Sequence, residues 1–178
     1  MSRFRVALII VILMPGTALV RADTYTINLS TGVIPGAESA GAYGIPAFAE
    51  FGFNWWPALT GGYGAFTASL MTAHFVPEGE AFGRSFLLAP LAGIRGAYPL
   101  GESGFLLGAE LAAGLYARWS RYEGDERNAR RPLTRGTIDV LFRDAYGWES
   151  GVRAGWIGWL DQQPVHTATI GVVVGRRW

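Results

Sequence analysis

Cysteine is absent from all 178 residues, and so is lysine; histidine occurs only twice. The first absence excludes disulfides, thiolate metal sites, a cysteine nucleophile and any cysteine-borne lipid. Without lysine there can be no Schiff base and no phosphate-loop lysine. Two histidines are too few for a three-histidine metal centre, and no cofactor is expected. Charge is sparse at 16% of residues, where soluble domains carry about a quarter. All 15 basic residues are arginine, and none forms a basic run interleaved with stacking aromatics, which excludes a nucleic-acid partner. Continuous apolar runs are short. The longest clean one, Val6–Met14, ends at Pro15-Gly16 and falls well below the roughly 20 residues of a membrane-spanning helix.

What the chain does have is glycine, 25 residues, and aromatics, 24, in a sequence that is 50% hydrophobic. Each interior glycine costs a helix about 1 kcal/mol, so a helical bundle is disfavoured. The hydrophobic content excludes disorder. The start of the chain has the layout of an export signal. Arg3 and Arg5 precede the apolar run, and Val20-Arg21-Ala22 supplies a small-residue cleavage pattern, so cleavage is expected before Asp23. Removing 1–22 leaves 156 residues with 12 arginines against 14 acids, one domain with no strong net field. An exported, half-apolar, cysteine-free chain without a spanning helix points to a closed β-barrel in a membrane.

Period-two alternation supports that reading, because a membrane barrel turns alternate residues to lipid and to its lumen. Tyr25, Ile27 and Leu29 share one face of a first strand, opposite Thr26, Asn28 and Ser30. A second strand, 47–55, puts Ala47, Ala49, Phe51, Phe53 and Trp55 outside and Glu50, Gly52 and Asn54 inside, with Phe48 an apolar exception. The third, 63–75, is less regular, and the fourth, 86–98, is apolar on both faces apart from Arg95. Pro90 predicts a bulge or break within the fourth. The fifth is the clearest: Phe105, Leu107, Ala109, Leu111, Ala113, Leu115, Ala117 and Trp119 occupy every second position, with Glu110 and Arg118 between them. A polar stretch, 121–135, reads as the longest loop. Beyond it come strands carrying Ile138, Val140 and Phe142, then Trp148, Val152, Ala154 and Trp156, then Ala168, Ile170, Val172 and Val174. The fold class is therefore all-β, an antiparallel up-and-down transmembrane barrel of eight strands. Its long loops, at 35–44, 77–85, 121–135 and 161–165, lie at one end; its short turns, at 57–62, 99–104 and 143–147, lie at the other.

With these elements in place the chain resembles the small eight-stranded outer-membrane barrels of the OmpA-membrane-domain, OmpX and OmpW kind, over 23–178. The resemblance implies an integral outer-membrane location among outer-membrane lipids, with periplasmic chaperones and the barrel-assembly machinery as partners in biogenesis. It also implies that Ile170, Val172, Val174 and Trp178 form the carboxy-terminal assembly signal, a pattern from which Arg176 departs.

Three groups of residues are candidates for function. Inward charges Glu50, Arg95, Glu110, Arg118, Asp139, Glu149, Arg153 and Arg177, with Arg143 at a strand end, are expected to pair across the lumen, since buried charges need partners. The alternative is a narrow path for ions or small apolar solutes. Tyr25, Trp55, Trp56, Tyr98, Trp119, Trp148 and Trp178 suit interfacial girdles. In the 121–135 loop, Arg121, Arg127, Arg130, Arg131 and Arg135 could grip phosphate or sulfate groups on an extracellular ligand, although Glu123, Asp125 and Glu126 offset them. His74 and His166, with Glu78, Glu80 and Ser85, match no hydrolase motif, so an enzyme is not expected. The reading is a non-enzymatic barrel displaying surface loops for adhesion, surface interaction or envelope integrity. A lipid-modifying enzyme and a soluble lipid-binding barrel are the remaining alternatives; the latter requires the two faces to be reversed.

Overall fold

The computed structural model describes residues 23–35, 46–60, 62–75, 82–122, 125–160 and 165–178; the expected export signal lies outside the described residues. Eight strands follow one another in chain order: β1 (Thr24–Val33), β2 (Ala47–Trp56), β3 (Gly64–Phe75), β4 (Phe82–Pro99), β5 (Phe105–Tyr122), β6 (Asp125–Arg143), β7 (Trp148–Trp159) and β8 (Val165–Arg177). Each pairs antiparallel with its neighbours, and β8 pairs with β1, closing the barrel. Closure leaves no free sheet edge, so backbone groups along the strands find partners within the wall.

Strand tilt follows from the register. Ladder partners traced round from Gly64 pass through Gly96, Ala109, Ile138, Ala154, Ile170, Val33 and Ala47 and return to β3 at His74, ten residues further on. A ten-residue stagger over eight strands corresponds to a tilt of about 40°. At that tilt, residues at equal height are not ladder partners. They drift by roughly one position per strand, and this drift decides which inward side chains meet.

The outer surface is an apolar belt. Leu29, Phe51, Ile94, Leu111, Leu115, Ile138, Val152 and Ile170 are large, exposed and outward-facing. Aromatic rings edge the belt at both ends. At the turn end lie Tyr25, Trp55, Tyr98, Trp148 and Trp178, with Phe105 against Phe142 at 5.4 Å and Tyr63 against Tyr98 at 6.0 Å. At the loop end Phe86 stacks on Trp119 at 6.0 Å and Trp156 meets His166 at 5.8 Å. This apolar exterior is the reverse of the polar one that a soluble barrel presents.

Three local expectations are corrected, and one packing feature adds to them. β6 begins at Asp125, so most of the 121–135 stretch is strand, paired with β5 as far as Tyr122↔Asp125. Long-range pairing overrides the polar composition there. Pro90 produces no bulge: the pairs on either side of it, Leu88↔Ala117 and Leu91↔Gly114, keep one register, and the shift lies between Phe82 and Ser85 instead. Pro90 remains in line with Leu70 of β3, and only the β5 side of the ladder skips Ala89 and Pro90, where the missing N–H cannot donate. Trp56 belongs to the interior rather than a girdle. It is 1% exposed, its Nε1 donates to Thr26 Oγ1 at 2.9 Å, and the Arg177 guanidinium lies 4.6 Å from its ring. Finally, the loop-end half of the lumen is apolar. Phe48, Met71, Leu87, Leu91, Tyr116, Leu133, Ile157 and Trp159 pack there as one cluster.

Candidate functional site

Below that apolar layer the lumen is closed by a ring of six charged side chains from five strands. Arg135 (β6) donates to Glu50 (β2) and to Glu110 (β5). Glu110 lies 3.8 Å from Arg95 (β4), which binds Asp139 (β6) in a two-pronged contact of 2.7 and 2.6 Å. Asp139 accepts from Arg153 Nε (β7) at 3.2 Å, and Arg153 lies 3.8 Å from Glu50, completing the circuit. Signs alternate all the way round, three arginines against three carboxylates, and each of the six residues is at most 5% exposed. Parallel N–H donors on the Arg95 fork match both Asp139 oxygens, the geometry that makes such pairs strong and directional. A charge-balanced ring tolerates a low-dielectric interior where a lone charge would not, although the buried Arg135 Nε has no hydrogen-bond partner among the described residues.

Glycine makes room for the ring. Gly108 is the inward β5 residue opposite Asp139, and a Cβ there would overlap both Asp139 Oδ1 and Arg95 Nη2. Gly108→Ala is therefore expected to destabilise the barrel by about 1–3 kcal/mol, the usual range for overpacking a filled interior. Denaturant unfolding of the refolded protein checks this, and an unchanged midpoint would contradict the packing.

The structure distributes the other candidate residues differently. Glu149 accepts from Arg143 Nε at 2.7 Å near the turn end, a pair separate from the ring. Arg177 donates to Thr24 Oγ1 at 3.0 Å and covers Trp56. Arg118 is inward and half-buried but sits at the loop end of β5, opposite Leu87 and Ala129, beyond the apolar layer. Arg135 requires a correction: expected in a surface loop, it is 3% exposed and bridges two carboxylates inside. From Leu133 to Leu141 the odd-numbered residues of β6 point inward, so the strand's early start carries Arg135 into the lumen with Thr137 and Asp139. Arg130 and Arg131 are exposed on the β5–β6 hairpin, and Arg121 and Arg127 are strand residues of the same hairpin.

Ile170, Val172, Val174 and Trp178 all face outward along β8 and at its end. His74 and His166 lie on β3 and β8, with β1 and β2 between them in the wall, and both are exposed. Glu78 and Glu80 lie outside the described residues, so no hydrolytic constellation is assembled among the described ones. Groups of three or more metal-ligating side chains are likewise absent among the described residues.

A closed eight-stranded antiparallel barrel with an apolar, aromatic-edged exterior is the architecture of the small outer-membrane barrels. Solved structures bear the likeness out. Neisserial surface protein A superposes with a TM-score of 0.64 at 6% identity, covering 87% of this chain and 95% of that one. Ail, the attachment invasion locus protein of Yersinia pestis, gives 0.54 at 12% identity, covering 88% and 97%. Its complex with the heparin analogue sucrose octasulfate gives 0.54 at 11% identity, covering 88% and 97%. No family model matches the chain, and no curated protein matches it by sequence. At these identities the likeness is one of fold.

Proposed function

We propose that this chain is an integral outer-membrane protein, exported through the 1–22 signal, whose sealed barrel anchors a loop end that binds polyanionic surface ligands. The observation that carries the reading is the polarity of the wall. A continuous outward belt of Leu, Ile, Val and Phe surrounds a lumen whose charges are spent on one another. In water such an exterior is unfavourable, whereas in a bilayer it is the surface that satisfies the solvent. On this reading the short turns face the periplasm, the long loops face outside, and Ile170, Val172, Val174 and Trp178 are the strand read by the barrel-assembly machinery after periplasmic chaperones deliver the chain.

The ring argues for an anchor over a pore. Ions crossing the lumen would have to break pairs that hold the interior together, and the layer stacked on the ring at the loop end presents them mainly with hydrocarbon and aromatic side chains. The role that remains is at the surface, and non-enzymatic. Arginines of the β5–β6 hairpin supply forked donors suited to sulfate and phosphate oxygens. Ail, of the same fold, has been crystallised with a sulfated heparin analogue, which suggests the class of probe.

The refolded protein in phosphatidylcholine nanodiscs is expected to bind sucrose octasulfate at low salt. Arg130→Ala/Arg131→Ala should weaken binding at least tenfold, and raising the salt to roughly 1 M, where charges are screened within about 3 Å, should abolish it. Absence of binding at low salt, or a double variant that binds like the parent, would contradict this assignment.

A further inference from the structure

Arg176 faces the belt. It is exposed and outward on β8, in step with Ile170, Val172 and Val174, where the alternation calls for an apolar residue. Across the ladder it stands between Trp148 on β7 and Ile27 on β1. Its guanidinium carbon lies 5.5 Å from the centroid of Trp148 and 5.7 Å from that of Trp178, so two indoles of the turn-end girdle hold the cation. No carboxylate pairs with Arg176 among the described residues. The nearby acids at this end of the wall are engaged elsewhere. Asp144 accepts the backbone N–H groups of Tyr146 and Trp148 at 2.8 and 2.9 Å, and Asp23 accepts from Ala58 N and Trp55 Nε1 at 2.8 and 3.2 Å. The neighbouring Arg177 turns the other way, toward Thr24 and Trp56.

We infer that Arg176, clasped by Trp148 and Trp178, is a docking site for the phosphodiester of an anionic phospholipid in the inner leaflet of the outer membrane. Three features define the occupant. The girdle sets the depth, because Trp at a barrel end lies at headgroup level, and Arg176 sits among those rings with its alkyl stem along the belt. Contacts with the indoles leave the guanidinium fork of N–H donors for a pair of phosphate oxygens, which it matches geometrically. Arg176 makes no ion pair with a carboxylate among the described residues, and its unpaired positive charge favours a headgroup of net charge −1 over a zwitterion. The proposal rests on the outer-membrane reading and adds to it a lipid preference at the turn end, distinct from the polyanion site at the loop end.

The test is native mass spectrometry of the barrel released from nanodiscs of phosphatidylcholine with a minor fraction of phosphatidylglycerol. Wild type is expected to retain phosphatidylglycerol at several times its bulk fraction. Arg176→Gln should fall to the bulk fraction, Arg176→Lys should be intermediate because it keeps charge without the fork, and Glu102→Gln, at an exposed position on the β4–β5 turn, should match wild type. Retention at bulk composition by wild type, unchanged enrichment in Arg176→Gln, or equal loss in Glu102→Gln would each overturn the site. If Arg176→Gln fails to fold, the wild-type enrichment and the Arg176→Lys and Glu102→Gln arms still decide. A wild-type chain that does not fold into nanodiscs at all refutes the membrane reading instead, and comparing the gel mobility of boiled and unboiled protein separates that failure from loss of the lipid site.

Discussion

Arg135→Met is expected to cost the barrel about 3–5 kcal/mol, the range found when one partner of a buried ion pair is removed. Arg135 neutralises Glu50 and Glu110 at once, and all three are at most 5% exposed. Methionine fills much of the volume but leaves two carboxylates facing each other in the lumen. Arg153, 3.8 Å from Glu50, and Arg95, 3.8 Å from Glu110, are already committed to Asp139 and cannot fully replace it. Adding Glu110→Gln to the same background leaves two arginines against two carboxylates, Glu50 and Asp139, and should recover most of the loss. Urea unfolding of the refolded protein reads both variants. A loss under about 1 kcal/mol for Arg135→Met would mean that the ring is hydrated and open rather than closed.

Leu111→Arg is expected to destabilise the protein in phospholipid vesicles by about 2–4 kcal/mol, the cost of arginine on the lipid face near the bilayer midplane. Leu111 is 60% exposed, lies outward in the middle of β5, and has Ile94 and Gly136 as its ladder partners. For a barrel living in water the same substitution would be nearly neutral, within about 0.5 kcal/mol, and would improve solubility. The two environments predict different outcomes for one change, so the comparison tests the orientation of the wall. Leu106 is one ladder step from the turn-end girdle but inward and 7% exposed. Its replacement by Ala should cost a large-to-small core penalty of about 2–5 kcal/mol wherever the barrel resides, which makes it the control for a general loss of folding.

The strand count, the antiparallel order and the outward apolar face were legible in the sequence because period two is a local signal. β5 displays it over its length, and Glu110 and Arg118 fall on the inner face that the alternation assigns them. Failures occurred where long-range geometry overrides composition. Arg135 sits in a polar, arginine-rich segment that reads as loop, yet pairing with β5 draws it into strand and the tilt brings it level with Glu50, 85 residues away in sequence. Counting back in twos from Asp139 through Thr137 reaches Arg135, and that parity was the available clue. Trp56 was misassigned for a related reason. Adjacent Trp55 and Trp56 must face opposite sides of a strand, so only one can join a girdle. The apolar layer at the loop end was foreshadowed by Phe48 and by the doubly apolar fourth strand, but its assembly from six strands with the segment after β1 needs the closed register. The six-residue ring is a property of the stagger. Its members were nearly all named as inward charges, but which one meets which depends on a drift of roughly one residue per strand that no local pattern carries.

The central claim is that this chain is a membrane-embedded barrel with its apolar face outward, and gel mobility tests it most directly. The chain from Asp23 onward, refolded into phospholipid vesicles, is run boiled and unboiled beside its far-ultraviolet circular dichroism spectrum. The account predicts a strand-rich spectrum and an unboiled band that migrates differently from the boiled one, because the closed barrel resists detergent until heated. A chain that is folded and monodisperse in plain buffer and shows no heat-dependent shift would contradict it.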